Sequence, residues 1–173
     1  MRIFVDMDEV LADTYGAHIN LYNEKYNAQL TKEKCKGGDV WEFVPREHQK
    51  YLHEQNHQRG FFANLKVMEG SQDVLEQLSK EHEVYIASAA MQFPKSLEEK
   101  SVWLDTHFPF ITWEYRILCG HKFILQGDVL IDDRSFNLDT FKGRALQFTS
   151  PHNVNTHGYE RVESWKEIGD KLL

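Results

Sequence analysis

Two cysteines in 173 residues, Cys35 and Cys119, are too few and too far apart for a disulfide framework, and neither falls in a metal-ligand spacing pattern. Both read as reduced, structural residues. No apolar run approaches the roughly 20 residues that cross a bilayer, and the N-terminus opens on a strand-like run rather than a signal-peptide pattern. A soluble, cytoplasmic protein without a membrane partner is therefore expected. Positive charge is also scarce: 20 Lys and Arg against 27 Asp and Glu leave a net charge of −7, which argues against a protein that coats duplex DNA or RNA. A small anion stays open as a ligand where basic residues gather locally. There is no internal repeat and no low-complexity segment. What remains is 41% hydrophobic, enough for one core or for a core plus a small lobe.

Short apolar runs alternate with amphipathic stretches. The runs are Ile3 to Val5, Val84 to Ala87, Val129 to Ile131 and Ala145 to Phe148, each suited to a strand covered on both faces. Between them, Ser71 is placed to cap a helix carrying Val74, Leu75 and Leu78, and Ser96 to cap one carrying Val102, Trp103 and Leu104. Ser164 to Leu173 reads as a closing helix. The pattern is α/β with a mostly parallel sheet. Residues 15–64 break the rhythm, being rich in His, Gln, Lys and aromatics, with helical patterning around His18 to Tyr26 and Glu47 to Gln58. An insertion there, after the first strand, would lie over the carboxyl end of the sheet, where open α/β folds bind ligands. The expected division is a core of 1–14 and 65–173 with a cap of 15–64.

Asp6-Met7-Asp8 directly follows the first run. Carboxylates two apart on an extended chain point to one side, and their repulsion calls for a cation. Solvated acids at a strand end are the plain alternative. The other predicted strand ends shift the balance: the second run ends at Ser88, the third at Asp132-Asp133, and Lys100 lies near the start of the helix between them. Parallel strands bring all of these to one sheet edge. The set suits phosphoryl transfer through an aspartyl-phosphate, with Asp6 as nucleophile, Asp8 as acid and base, Asp133 completing an oxygen-rich magnesium site with Asp6, and Ser88 and Lys100 holding the phosphate.

In their order, Asp6-Met7-Asp8-Glu9-Val10, Ser88, Lys100 and Asp132-Asp133 resemble the four motifs of the haloacid dehalogenase superfamily of aspartate-nucleophile phosphatases. Asp6 to Asp13, Gly60 to Leu65, Leu130 to Arg134, and Phe148-Thr149 with His152-Asn153 are similar to the 5'(3')-deoxyribonucleotidases within it. The resemblance implies a Rossmann-like parallel sheet with helices on both faces and a small, mainly helical cap. It also implies Mg2+-dependent hydrolysis of nucleoside monophosphates, preferably deoxy ones. Carried over by position, Asp6, Asp133 and the Asp8 carbonyl would hold the metal, with Asp132 and Arg134 in support. Ser88, Lys100 and the backbone amide of Glu9 would bind phosphate, and Phe62 and Trp41 would bind the base. Core packing of the cap is the plain alternative for both aromatics. The implied partner is a small nucleotide and not a nucleic-acid polymer, with a homodimer left open.

The sequence departs from the mammalian pattern at Glu9, where glycine is usual, at Thr14, which replaces a base-pocket aromatic, and at Ala89, which replaces a hydroxyl residue. His48, His53 and His57 read as a solvated helix face rather than a metal site, and His152 and His157 as part of a structural loop near the site. Three rivals are a phosphatase for another small phosphomonoester such as a sugar phosphate, a receiver-like signalling domain, and a non-catalytic nucleotide binder. The receiver reading would need an aspartate where Ser88 stands. The binder would not need both Asp6 and Asp8.

Overall fold

Alternation along the first strand sets the layers. Ile3 and Val5 of β1 (Arg2–Val5) join the largest apolar cluster, while Phe4 points to the opposite face and joins a smaller one. The computed structural model describes all 173 residues. β1 pairs in parallel with β2 (Glu83–Ser88) and with β4 (Val129–Asp132). β3 (Arg116–Leu118), β5 (Arg144–Phe148) and β6 (Glu160–Val162) complete a six-stranded, wholly parallel sheet of order β3-β2-β1-β4-β5-β6. The chain winds one way from β1 to β3 and the other way from β4 to β6. The crevice for a ligand therefore opens between the carboxyl ends of β1 and β4.

Helices α3 (Ser71–Glu81), α4 (Ser96–His107) and α6 (Trp165–Leu172) place Leu75, Leu78, Trp103, Leu104, Trp165 and Ile168 in the larger cluster. The other face is covered more thinly, by Leu138 of the short α5 (Ser135–Leu138) and the loop residues Leu125 and Phe141. Two expected caps are not formed. Gly70, at φ +76°, precedes α3, and the Ser71 hydroxyl donates to the Met68 carbonyl, while Ser96 donates to the Ala90 carbonyl. Ser164 does cap α6, accepting from the Glu167 amide at 3.3 Å.

Between β1 and α3 lie α1 (Thr14–Tyr26), a 3-10 turn at Val40–Phe43, α2 (Arg46–Gln55) and a second turn at Phe62–Asn64. This segment has its own buried cluster of Tyr15, Ile19, Tyr22, Cys35, Val40, Val44 and Leu52. Phe61, Phe62 and Leu65 pack in the main core instead. Both cysteines are free.

Candidate active site

The chain leaves β1 at Val5, so Asp6 and Asp8 are not held on a pleat, and each is drawn to a different buried lysine. Asp6 forms an ion pair with Lys122 at 2.6 Å, and its Oδ1 also accepts the Met7 amide at 2.8 Å. Oδ2 of Asp6 accepts no hydrogen bond. Lys122 bridges to Asp132, again at 2.6 Å. Asp132 is fully buried and further accepts from the Arg134 amide and the Asn137 side chain. Burial raises the Asp6 carboxyl to about 6 against the pull of Lys122, with Asp132 and Asp8 adding to the rise. Facing both carboxylates, the Lys122 ammonium is held above its ordinary range despite burial. Lys122 was not singled out from the sequence. In the run Lys122-Phe123-Ile124 the lysine is buried and both apolar neighbours are exposed, the inverse of the usual order, so the sequence carried no signal for it.

Lys100 occupies the second turn of α4 with no exposure. Its ammonium donates to Asp8 Oδ2 at 2.5 Å and to the Ser88 hydroxyl at 2.9 Å, and lies 4.6 Å from the centre of the Phe62 ring. Ser88 is equally buried. Lys100 and Ser88 thus stand behind Asp8, whereas Lys122 lines the cleft together with Asp6, Asp8 and Asp133. Asp8 Oδ1 has no hydrogen-bond partner.

Asp133 follows β4 and is buried, and burial together with Asp132 and Asp6 raises its carboxyl well above the usual range. One oxygen, Oδ2, lies 3.3 Å from the Arg134 guanidinium and 3.2 Å from His152 Nε2. The other accepts no hydrogen bond. Asp6, Asp132 and Asp133 each offer an oxygen within 4.8 Å of the others, a hard, all-oxygen set of the kind that suits magnesium. Arg134 also reaches across to the inserted segment, donating both terminal nitrogens to Asp39 at 2.8 and 3.3 Å.

Glu9 stands in the left-handed region at φ +62°. Its amide donates to the Ala12 carbonyl at 2.8 Å, so it is not free for the phosphate contact expected of it. The carboxylate turns inward and is buried. It accepts from the Thr14 hydroxyl, the Tyr15 amide and the Ser150 hydroxyl at 2.8, 2.5 and 2.7 Å. Burial raises its pKa, and those three donors oppose the rise. Because the Ser150 proton points to Glu9, His152 Nδ1, 3.0 Å from the same hydroxyl, must be the donor there. Burial and the nearby Arg134 push the His152 imidazole down to about 4.

These groups floor a cleft of about 330 Å³ whose walls include Trp41, Phe62 and Phe93. Phe62 is only 2% exposed and packs edge-on to Phe61, so it belongs to the core as much as to the cleft. Trp41 is half-buried, with His53 against it at 4.7 Å. Phe93, which the sequence did not single out, lies 5.9 Å from Phe62. His53 and His57 are exposed and His48 stacks on Tyr26.

A wholly parallel sheet with acids at its carboxyl edge and an insertion after the first strand is the fold of haloacid dehalogenase-like proteins. Solved relatives share that fold: a haloacid dehalogenase-like hydrolase from Streptococcus pneumoniae superposes with a TM-score of 0.65 at 13% identity, covering 99% of this chain and 98% of that one. The Bacillus subtilis protein YfnB, named a hydrolase provisionally and solved with magnesium bound, gives 0.60 at 13% identity, over 99% and 97%. The family model "5' nucleotidase, deoxy (Pyrimidine), cytosolic type C protein" matches residues 1–173, and the chain belongs to that family. It is a phosphoric monoester hydrolase of the 5'-nucleotidase type. The 5'(3')-deoxyribonucleotidase of Bacillus subtilis is 38% identical over 174 residues, 99% of this chain and 98% of that protein. A Staphylococcus epidermidis protein given the same name provisionally is 41% identical over 167 residues, 96% of this chain and 93% of that protein.

Proposed function

We propose that this chain is a cytoplasmic, Mg2+-dependent phosphatase that converts deoxynucleoside monophosphates to nucleoside and phosphate through an aspartyl-phosphate on Asp6. The observation that carries the reading is the state of Asp6: it lines the cleft with Lys122 against one oxygen and nothing on the other. Asp6 Oδ2 attacks phosphorus, the bond from phosphorus to the nucleoside oxygen breaks, and Asp8 supplies the proton that oxygen needs. Asp8 then takes a proton from the water that attacks the phosphoryl group, and Asp6 is released unmodified. Lys122 offsets negative charge on Asp6 and on the transferring group.

Asp133, with an oxygen free of hydrogen bonds, would hold magnesium together with the Asp6 oxygen that does not attack and the Asp8 carbonyl, while Asp132 is occupied with Lys122 and Asn137 and orients the floor. The ion would neutralise anionic oxygens that Lys122 alone leaves uncompensated. Lys100 and Ser88 position Asp8. Residues 15–64 act as a cap whose aromatics flank the base, and Arg134 to Asp39 ties that cap to the sheet edge.

The test is phosphate release from a panel of deoxy- and ribonucleoside monophosphates and sugar phosphates, with and without Mg2+. The reading expects Mg2+-dependent turnover that is fastest on deoxynucleotides. Turnover confined to sugar phosphates would sink it.

A further inference from the structure

A second cavity lies behind the wall that the inserted segment presents to the cleft. Its volume is about 620 Å³ against about 330 Å³ for the cleft, and no residue lines both. Helical periodicity in α1 separates them: Thr14, Tyr15 and His18 face the cleft, while Gly16, Ala17 and Asn20 face the second cavity. The cavity also reaches both crossings between the sheet and the inserted segment. Asp13 on one crossing and Lys66 on the other line it, and the Asp13 amide donates to the Lys66 carbonyl at 2.9 Å. An antiparallel bridge between Ala12 and Val67 joins the same two segments.

The lining is charged with the opposite sign to the chain as a whole. Lys32, Arg59 and Lys66 stand against a single acid, Asp13, in a protein of net charge −7. Asp13 engages Lys32 at 2.8 Å. Arg59 meets Glu98, outside the cavity, at 3.2 Å, but both side chains are more than two-thirds exposed and such a pair contributes little in water. Lys66 is exposed and unpaired. Ile19, Leu21 and Phe61 give the cavity an apolar side. Cavities of this size hold small molecules by burying an apolar body and fixing it with a few polar groups.

We propose that this cavity is a second ligand site, for a small organic anion made of a flat aromatic ring system carrying a phosphate or a carboxylate. The ring lies against Phe61 and Ile19, and the anion meets Lys66 and Arg59. Phe61 connects the site to the cleft: its ring packs against His18 at 4.7 Å and against Phe62 at 4.9 Å, and both of these line the cleft. An occupant therefore braces the cleft wall from behind and spans both crossings, without touching Asp6, Asp8 or Asp133. The site takes no part in the phosphatase chemistry, so its test does not depend on turnover.

The test titrates isotope-labelled enzyme with 1-naphthylphosphonate and, separately, with 1-naphthoate, neither of which has an ester bond to hydrolyse. Amide NMR shifts are followed at Gly16, Asn20 and Gly60, which line this cavity and not the cleft. They should saturate with a midpoint at or below about 1 mM for at least one probe, and the tighter probe names the headgroup. Lys66→Glu and Arg59→Glu, both at exposed side chains, should each raise that midpoint about tenfold or more, because each exchanges a charge-assisted contact for repulsion. Naphthalenemethanol, which has the ring without the charge, should bind the native enzyme more weakly by a similar factor. Shifts that never saturate, or that are confined to cleft residues such as Thr14 and Asn56, overturn the proposal. So does native affinity in either variant, or equal binding of the neutral alcohol.

Discussion

The sheet edge and the cap wall differ in how far their polar groups are paired by charge. At the edge, Asp6, Asp132, Lys122, Asp8 and Lys100 are paired with one another at 2.5 to 2.6 Å. Across the cleft, His18 Nε2 has no partner. The edge is built before any substrate arrives, so its electrostatic work of facing a phosphate is the same whatever base is attached. The wall is largely aromatic, with Trp41, Phe62 and Phe93 lining the cleft. A charged edge and an aromatic wall thus face one another across the cleft.

Asp6→Asn should break the edge outright. Phosphate release from dTMP should fall by roughly 10⁴-fold or more, since the amide cannot form the phosphoenzyme; substantial remaining turnover would rule out the covalent route. Lys122→Met comes next. It leaves Asp6 and Asp132 buried without a counter-charge, and a denaturant melt should show a loss of about 3–5 kcal/mol. Lys100→Met should cost less, because its partner Asp8 keeps a third of its side chain exposed; equal losses would mean the two lysines are equivalent, contrary to their placement. The smallest effect belongs to the wall. Trp41→Ala should raise KM for dTMP about tenfold, within the range for base–aromatic stacking, and leave 2-deoxyribose 5-phosphate nearly unaffected. Parallel changes for both substrates would show that Trp41 packs the cap and does not touch the base.

What was legible in the sequence follows the strength of local signals. The continuous apolar runs match β1, β2, β4 and β5 to within one residue at each end. β3 and β6 escaped because each has three residues and lies toward a sheet edge, with Arg116, Glu160 and Arg161 diluting the apolar pattern. Asp6, Asp8, Ser88, Asp132 and Asp133 were legible because they terminate strands. Lys122 was not, since it sits on a 3-10 turn with no periodicity to mark its inward face. His18 was hidden for another reason: a buried ring nitrogen without a partner is visible only in three dimensions, and the helical pattern around His18 predicts burial without saying what the ring faces.

Glu9 has a bearing on how this enzyme could be rebuilt. Its carboxylate joins the start of α1 to Ser150 in the loop after β5, while its own backbone belongs to the Asp6-Asp8 turn. A specificity cassette excised at residues 15 and 64 and transplanted onto another scaffold would carry Tyr15 but leave Glu9, Thr14 and Ser150 behind. On a host with glycine at the Glu9 position the imported helix would begin with its anchoring acceptor missing. Any chimera of this kind therefore has to move the clasp together with the cassette.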